Sequence, residues 1–193
     1  LTTIGDSAFE GCTELQEIRF NKAVTTIGKM TFSECEALSA IVLGENITTI
    51  GEGAFNKCSQ LESIAIPDGV SHIGNYTFYS CASLVAVSLG NSIESIGNSA
   101  FELCENLQSV SLSKNLTTLG KNAFKGCSSL KTITLPDSLT VIPEGAFSSC
   151  TALTKATLGE KVTEIGADAF ENCTSLKEIE IPATTKTLGL GAF

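Results

Sequence analysis

Apolar and polar residues follow two rhythms within a short unit, and the unit then repeats. Between Leu1 and Ala23 the apolar side chains fall at Leu1, Ile4, Ala8, Phe9, Cys12, Leu15, Ile18 and Phe20. Ala8, Phe9, Cys12 and Leu15 are spaced by one, three and three, which predicts a short helical or 3₁₀ turn. Ile18 and Phe20 are spaced by two, the inward face of a β-strand. That pair recurs as Ile41/Leu43, Ile64/Ile66, Val87/Leu89, Val110/Leu112, Ile133/Leu135, Ala156/Leu158 and Ile179/Ile181. Turn formers follow each strand: Asn21, Gly44, Pro67, Gly90, Ser113, Pro136, Gly159 and Pro182. Gly5 recurs as Gly28, Gly51, Gly74, Gly97, Gly120, Gly166 and Gly189, which implies either positive φ or close backbone approach. Pro143 occupies that position in one unit, where positive φ is excluded. Each unit therefore reads as strand, turn, short extended piece, glycine turn, helical turn and strand again.

Two further ladders fix the period. Cys12, Cys35, Cys58, Cys81, Cys104, Cys127, Cys150 and Cys173 fall at one constant interval, that from Cys12 to Cys35. Phe9, Phe32, Phe55, Phe78, Phe101, Phe124, Phe147, Phe170 and Phe193, nine of the ten phenylalanines, share that interval. One unit cannot bury its apolar side alone, but stacked units build a continuous core from columns of like residues. With strands ~4.8 Å apart, eight coils make a rod of roughly 40 Å. The expected organisation is one repeat domain over residues 1–193, with eight repeats and a partial ninth. One strand per coil is expected near residues 16–20 and at the same interval thereafter.

The pattern I-G-x-x-A-F-x-x-C-x-x-L-x-x-I-x-I-P, seen from Ile50 to Pro67, resembles a leucine-rich repeat, and more narrowly the BspA-like class of 23-residue repeats. The resemblance covers essentially the whole chain. Thr31 and Thr77 stand in place of Ala, Pro143 in place of Gly, and Ala156 in place of a branched aliphatic residue. It implies an α/β fold: a right-handed leucine-rich-repeat solenoid with one parallel β-strand per coil and short helical or 3₁₀ turns. It also implies a place on a bacterial or protist cell surface and a role in adhesion. A fold by itself hosts many functions.

Charge narrows the partners. The formal net charge is −9, and no basic stripe is present, so a phosphate backbone is a poor partner and no nucleic acid is expected. No apolar run approaches the ~18 residues of a membrane span. The eight cysteines admit a disulfide framework, a metal cluster or a column of buried thiols. Equivalent residues on stacked coils point in parallel about a strand spacing apart, wider than the ~3.8 Å between Cβ atoms in a disulfide. Zinc needs ligands that converge on a tetrahedron, whereas one Cys per coil forms a line. This geometry favours buried thiols behaving as small apolar residues. His72 is the only histidine and stands where other units carry Thr or Ser, which reads as a surface substitution. No nucleophile–histidine–acid set can be placed, so no enzyme activity, catalytic residue, metal or cofactor is expected. The threonine column Thr2, Thr25, Thr48, Thr117, Thr140 and Thr163 is interrupted by Ser71 and Glu94, unlike an ice-binding array. The triplets at Asn46, Asn75, Asn115 and Asn172 matter only on a eukaryotic secretory route.

The open, concave face of the strand ladder is the expected binding surface, as in other repeat proteins. Its candidate contacts are Glu17, Arg19, Val42, Ser63, Ser88, Ser109, Ser111, Thr132, Thr134, Lys155, Thr157, Glu178 and Glu180. The middle is small and hydroxylated, and charge gathers at the ends. Arg19 is the one interface-type anchor among them. Tyr76 and Tyr79, the only tyrosines, flank Phe78 and offer an anchor elsewhere on the rod. The chain starts and stops inside a repeat without polar caps, which suggests a segment of a longer protein. The leading expectation is a non-enzymatic protein-binding or adhesion module of a cell-surface protein, with a protein ligand or another copy of itself as partner. The alternatives are a rod that stacks end to end into a filament or sheath, and a scaffold arm of a larger enzyme.

Overall fold

The computed structural model describes residues 1–193, wound into a parallel β-solenoid of about eight turns. Each of the first seven coils contributes two short strands, one more than the periodicity predicts. The first ladder holds Glu17–Arg19, Ala40–Val42, Ser63–Ala65, Ala86–Ser88, Ser109–Val110, Thr132–Thr134 and Lys155–Thr157. The second holds Thr3–Ile4, Thr26–Ile27, Thr49–Ile50, His72–Ile73, Ser95–Ile96, Thr118–Leu119, Val141–Ile142, Glu164–Ile165 and Thr187–Leu188. Every pairing is parallel and joins equivalent residues of successive coils, as in Ile18 with Ile41 and Ile4 with Ile27. The second strand is two residues long, too short for an alternation to be visible in the sequence.

No residue is helical, which corrects the expected helical or 3₁₀ turn. The one-three-three stripe comes from consecutive tight turns. The amides of Ala8, Glu10, Cys12 and Leu15 bond to carbonyls three residues back, on Gly5, Ser7, Phe9 and Cys12. The amides of Ser7, Phe9 and Gly11 point along the rod instead, to the carbonyls of Lys29, Thr31 and Ser33 in the next coil. A helix would spend all of these amides inside its own coil. Left-handed residues stop the turn from propagating: Ser7 has φ 55° and Gly11 φ 70°. Both positions repeat, the first through Met30, Gly53, Tyr76, Ser99, Asn122, Gly145, Asp168 and Gly191. The second runs through Glu34, Lys57, Ser80, Leu103, Gly126, Ser149 and Asn172.

The Gly5 column serves the other purpose left open by the sequence. These glycines do not have positive φ; they let one coil press on the last. A Cβ on Gly97 would lie 2.6 Å from the Asn75 nitrogen and 2.7 Å from the Gly74 carbonyl carbon. A Cβ on Gly5 would meet nothing within 4 Å.

One cluster of 50 buried apolar residues runs from Ile4 to Ala192. Its spine is the phenylalanine ladder, in which successive rings from Phe9 to Phe193 stack with centroids 5.1–5.5 Å apart and planes within 13°. Stacked pairs of this kind add ~0.5–1.5 kcal/mol beyond burial.

Candidate functional site

Three places carry the side chains that the sequence singles out: the outward side of the first ladder, the thiol column and His72. Along the first ladder the inward residue of each strand is covered and its neighbours stand in solvent, giving the exposed–buried–exposed pattern of Ala40–Val42, Ser63–Ala65 and Thr132–Thr134. All thirteen candidate residues are exposed: Glu17, Arg19, Val42, Ser63, Ser88, Ser109, Ser111, Thr132, Thr134, Lys155, Thr157, Glu178 and Glu180. Ser111 lies one residue beyond its strand, which ends at Val110. Val42 is the exposed apolar point of the row, at 77%. Arg19 is engaged on its own strand, where its Nε donates to Glu17 Oε1 at 2.7 Å. The face therefore offers hydroxyls and one valine rather than a free arginine.

Glu178 and Glu180 depart from the expected row because their segment is not a strand. In the preceding coils the amides of Ser39, Glu62, Val85, Gln108, Lys131 and Thr154 each bond to the equivalent carbonyl of the coil before, ending with Thr154 to Lys131 at 2.9 Å. Lys177 makes no such bond to Thr154. A cleft of about 760 Å³ separates Lys155–Thr157 from Glu178–Glu180. The same coil stays attached on both sides of the gap. Cys173 Sγ donates to the Phe147 carbonyl at 3.2 Å, and Thr184 Oγ1 donates to the Glu160 carbonyl at 2.7 Å.

The cysteines are all free, and seven are buried; Cys12, in the first coil, is exposed. Each buried thiol donates to the phenylalanine carbonyl 26 residues earlier, at 3.1–3.2 Å, from Cys35 on Phe9 to Cys173 on Phe147. That carbonyl also accepts an amide of its own coil, as Phe78 accepts from Cys81 at 3.2 Å. The thiol thus staples one turn to the next. Burial pushes the thiol pKa up, to about 11 at Cys35 and Cys173 and further at Cys58, Cys81, Cys104, Cys127 and Cys150. A thiol held neutral is a poor nucleophile and a poor metal ligand.

His72 lies on the second ladder in solvent, with Nδ1 2.7 Å from Ser95 Oγ. No carboxylate completes a triad with this pair among the hydrogen bonds of His72. No group of three or more His, Cys, Asp or Glu is placed to hold a metal ion. The threonine column also works between coils. Thr25, Thr48, Thr117 and Thr163 Oγ1 donate to the carbonyls of Thr2, Thr25, Glu94 and Thr140. No helix is long and apolar enough to cross a membrane.

The sequence matches the BspA type leucine rich repeat region, in six copies, over residues 1–89 and 71–193. Among solved structures, the leucine rich repeat protein of T. pallidum is similar with a TM-score of 0.83 and 27% identity, covering 91% of this chain and 83% of that one. A leucine rich cell surface protein from Faecalibacterium prausnitzii A2-165 aligns over 100% of this chain and 68% of its own, with 24% identity and a TM-score of 0.66. At that identity the likeness is one of fold. No curated protein matches the sequence.

Proposed function

The chain belongs to the BspA-type leucine-rich-repeat family, and from that premise we propose that it is a non-enzymatic protein-binding module of a cell-surface protein, engaging its partner through the outward side of the first ladder. One observation carries this reading. The columns that hold the coils together repeat nearly the same residue from coil to coil, whereas the exposed row varies along the rod: Glu17/Arg19, Ala40/Val42, Ser63/Ala65, Ala86/Ser88, Ser109/Ser111, Thr132/Thr134, Lys155/Thr157. A rigid scaffold that presents a variable row of side chains is how repeat proteins build extended binding surfaces. The cell-surface setting is supported by the family and by the description of the F. prausnitzii protein as a cell surface protein.

The test is adhesion of the purified chain to immobilised extracellular-matrix proteins and to host cells, beside a Ser109→Lys/Thr132→Lys/Thr134→Lys variant. Saturable binding that the triple variant loses while its melting temperature holds is the expected result. Binding that survives the variant would remove the ladder face from the reading, and no saturable binding would remove the adhesive role.

A second reading, stacking of rods end to end, is favoured by the apolar side chains at the two end coils. Leu1 is exposed at one end, and Leu188, Leu190 and Phe193 at the other. A head-to-tail contact between unlike ends propagates rather than closes. Sedimentation across a dilution series decides: mass that grows with concentration supports stacking, and a constant monomer mass excludes it.

A further inference from the structure

The chain's only two tyrosines and its only methionine meet in one groove, well away from the outward row of the first ladder. The groove, of about 640 Å³, crosses the wall of tight turns, and its lining includes Met30, Glu52, Lys57, Tyr76, Tyr79 and Glu102. The Tyr76 and Tyr79 rings are 5.9 Å apart at 70°, so they frame a corner rather than a flat shelf. Glu52 and Glu102 have no ion-pair partner, whereas Lys57 Nζ is held by Glu34 Oε1 at 2.7 Å. The groove therefore presents two unpaired carboxylates with two aromatic rings, and its one cation, Lys57, is already neutralised by Glu34.

The turn does not require an aromatic residue at Tyr76. Tyr76 occupies the left-handed position, φ 56°, where the neighbouring coils carry Gly53 and Ser99. That conformation is disfavoured for a residue with a large side chain. The return in burial is small, because the residue remains 46% exposed. The same column also holds Met30, Ser99, Asn122 and Asp168, so the left-handed turn belongs to the fold, and what sets Tyr76 apart is its exposed aromatic ring. Gly53 beneath it leaves the room: a Cβ there would collide with Met30 Sδ, so the methionine side chain lies across the glycine and floors the groove.

We propose that this groove is an interaction site for a cationic side chain, arginine or lysine, of a partner protein. Ring faces attract cations through their quadrupole, and the two carboxylates supply the matching charge. Tyrosine, with an apolar ring and a polar tip, is among the residues that dominate interface energetics. Methionine adapts to varied partners. The site is separate from the first-ladder face, so its test does not depend on the outcome there.

The chain contains no tryptophan, so tyrosine emission reports on this groove alone. The probe is an N-acetylated, C-amidated Gly-Arg-Gly peptide titrated into the full chain, beside the same peptide with Gln in place of Arg and beside maltotriose, a neutral sugar. The expected result is a saturable change in tyrosine emission with the Arg peptide only, weakened by added salt. Affinity should fall about 5-fold in Glu52→Gln/Glu102→Gln, in the range for the loss of exposed ion pairs. Tyr76→Gly should abolish the response while the melting temperature is kept or raised, because glycine relieves the left-handed strain. An equal response to the Gln peptide would overturn the proposal. A saturable response to maltotriose alone would make the groove a glycan site and overturn it as well. A lower melting temperature in Tyr76→Gly with Arg-peptide binding intact would assign Tyr76 to folding and overturn its role as an anchor.

Discussion

The wall of tight turns and the first strand ladder are built from the same coils but are held together differently. On the wall, phenylalanine, thiol and glycine columns repeat almost without change, and the ring stack continues to Phe193. On the ladder, the strands are three residues or shorter, and strand pairing is interrupted between Ala40–Val42 and Ser63–Ala65, again between Ser109–Val110 and Thr132–Thr134, and finally after Thr157. The eighth coil is the instructive one. Its strand segment separates from the seventh, yet Phe170 still stacks between Phe147 and Phe193, and Cys173 still reaches the Phe147 carbonyl. The wall and the second ladder, where Glu164–Ile165 pairs with Thr187–Leu188, keep this coil in register without the first ladder. That leaves the ladder face free to vary in sequence.

Truncation sharpens the contrast most. Phe101→Ala in mid-rod removes a fully buried ring from two stacked pairs and should cost about 3–5 kcal/mol. Thr134→Ala, on the exposed row, should stay within about 0.5 kcal/mol. Urea denaturation of both variants checks the pair. Equal losses would remove the distinction between wall and face.

Next in size is Gly97→Ala. Its new methyl meets backbone of the preceding coil, at the Asn75 nitrogen and the Gly74 carbonyl carbon, and backbone cannot swing aside. A loss of about 1–3 kcal/mol follows, as for overpacking. Gly5→Ala, with open space around it, should be neutral or gain up to about 1 kcal/mol through the unfolded chain.

The thiols give a pH test with a definite sign. Below the ordinary thiol pKa of 9.0 both folded and unfolded chains keep the proton, and the column contributes no pH dependence. Above it the unfolded chain releases protons that the folded chain retains, so stability falls as pH rises. The fall should begin near pH 9 and continue through about 11, where Cys35 and Cys173 ionise in the fold. Thermal melts between pH 8 and about 11 check it. In the native state at neutral pH, a thiol reagent should label Cys12 rapidly and the other seven only after denaturant. Smallest of all is the exposed Lys121–Glu144 pair, 2.9 Å apart across adjacent coils. Lys121→Ala should leave the melting temperature unchanged.

The sequence discloses the columns because a stacked core demands like residue over like residue. Phe and Cys at a constant interval could not be mistaken, and the inward alternation of Ile41/Leu43 placed the first ladder. The turn type was not legible. Three-residue spacing is common to a helical turn and to a chain of tight turns, so Ala8, Phe9, Cys12 and Leu15 suit both. The two left-handed columns are what separate them. Those columns mix residue types: Gly53, Gly145 and Gly191 with Asn122, Asp168, Ser7, Met30 and Tyr76 in one of them. Glycine, asparagine and aspartate are the residues that tolerate this conformation, and their recurrence two residues after the Gly5 column was the available signal. The exposed row was readable from alternation alone. The separation at Glu178–Glu180 was not, because Ile179 and Ile181 carry the same alternation as every earlier coil. The Tyr76–Tyr79 groove needed the left-handed turn to be known before its two rings could be placed side by side.

Amide hydrogen exchange tests most directly whether the wall holds the coils in register while the ladder follows. The amides of Phe55, Phe78, Phe101 and Phe124, each bonded to the next coil at 2.8–2.9 Å, should be the slowest in the chain. Lys177–Glu180 should exchange fastest within the solenoid while Phe170 stays protected. Protection of Lys177–Glu180 equal to that of Thr154, or phenylalanine amides that exchange before the strand amides of their own coils, would contradict the account.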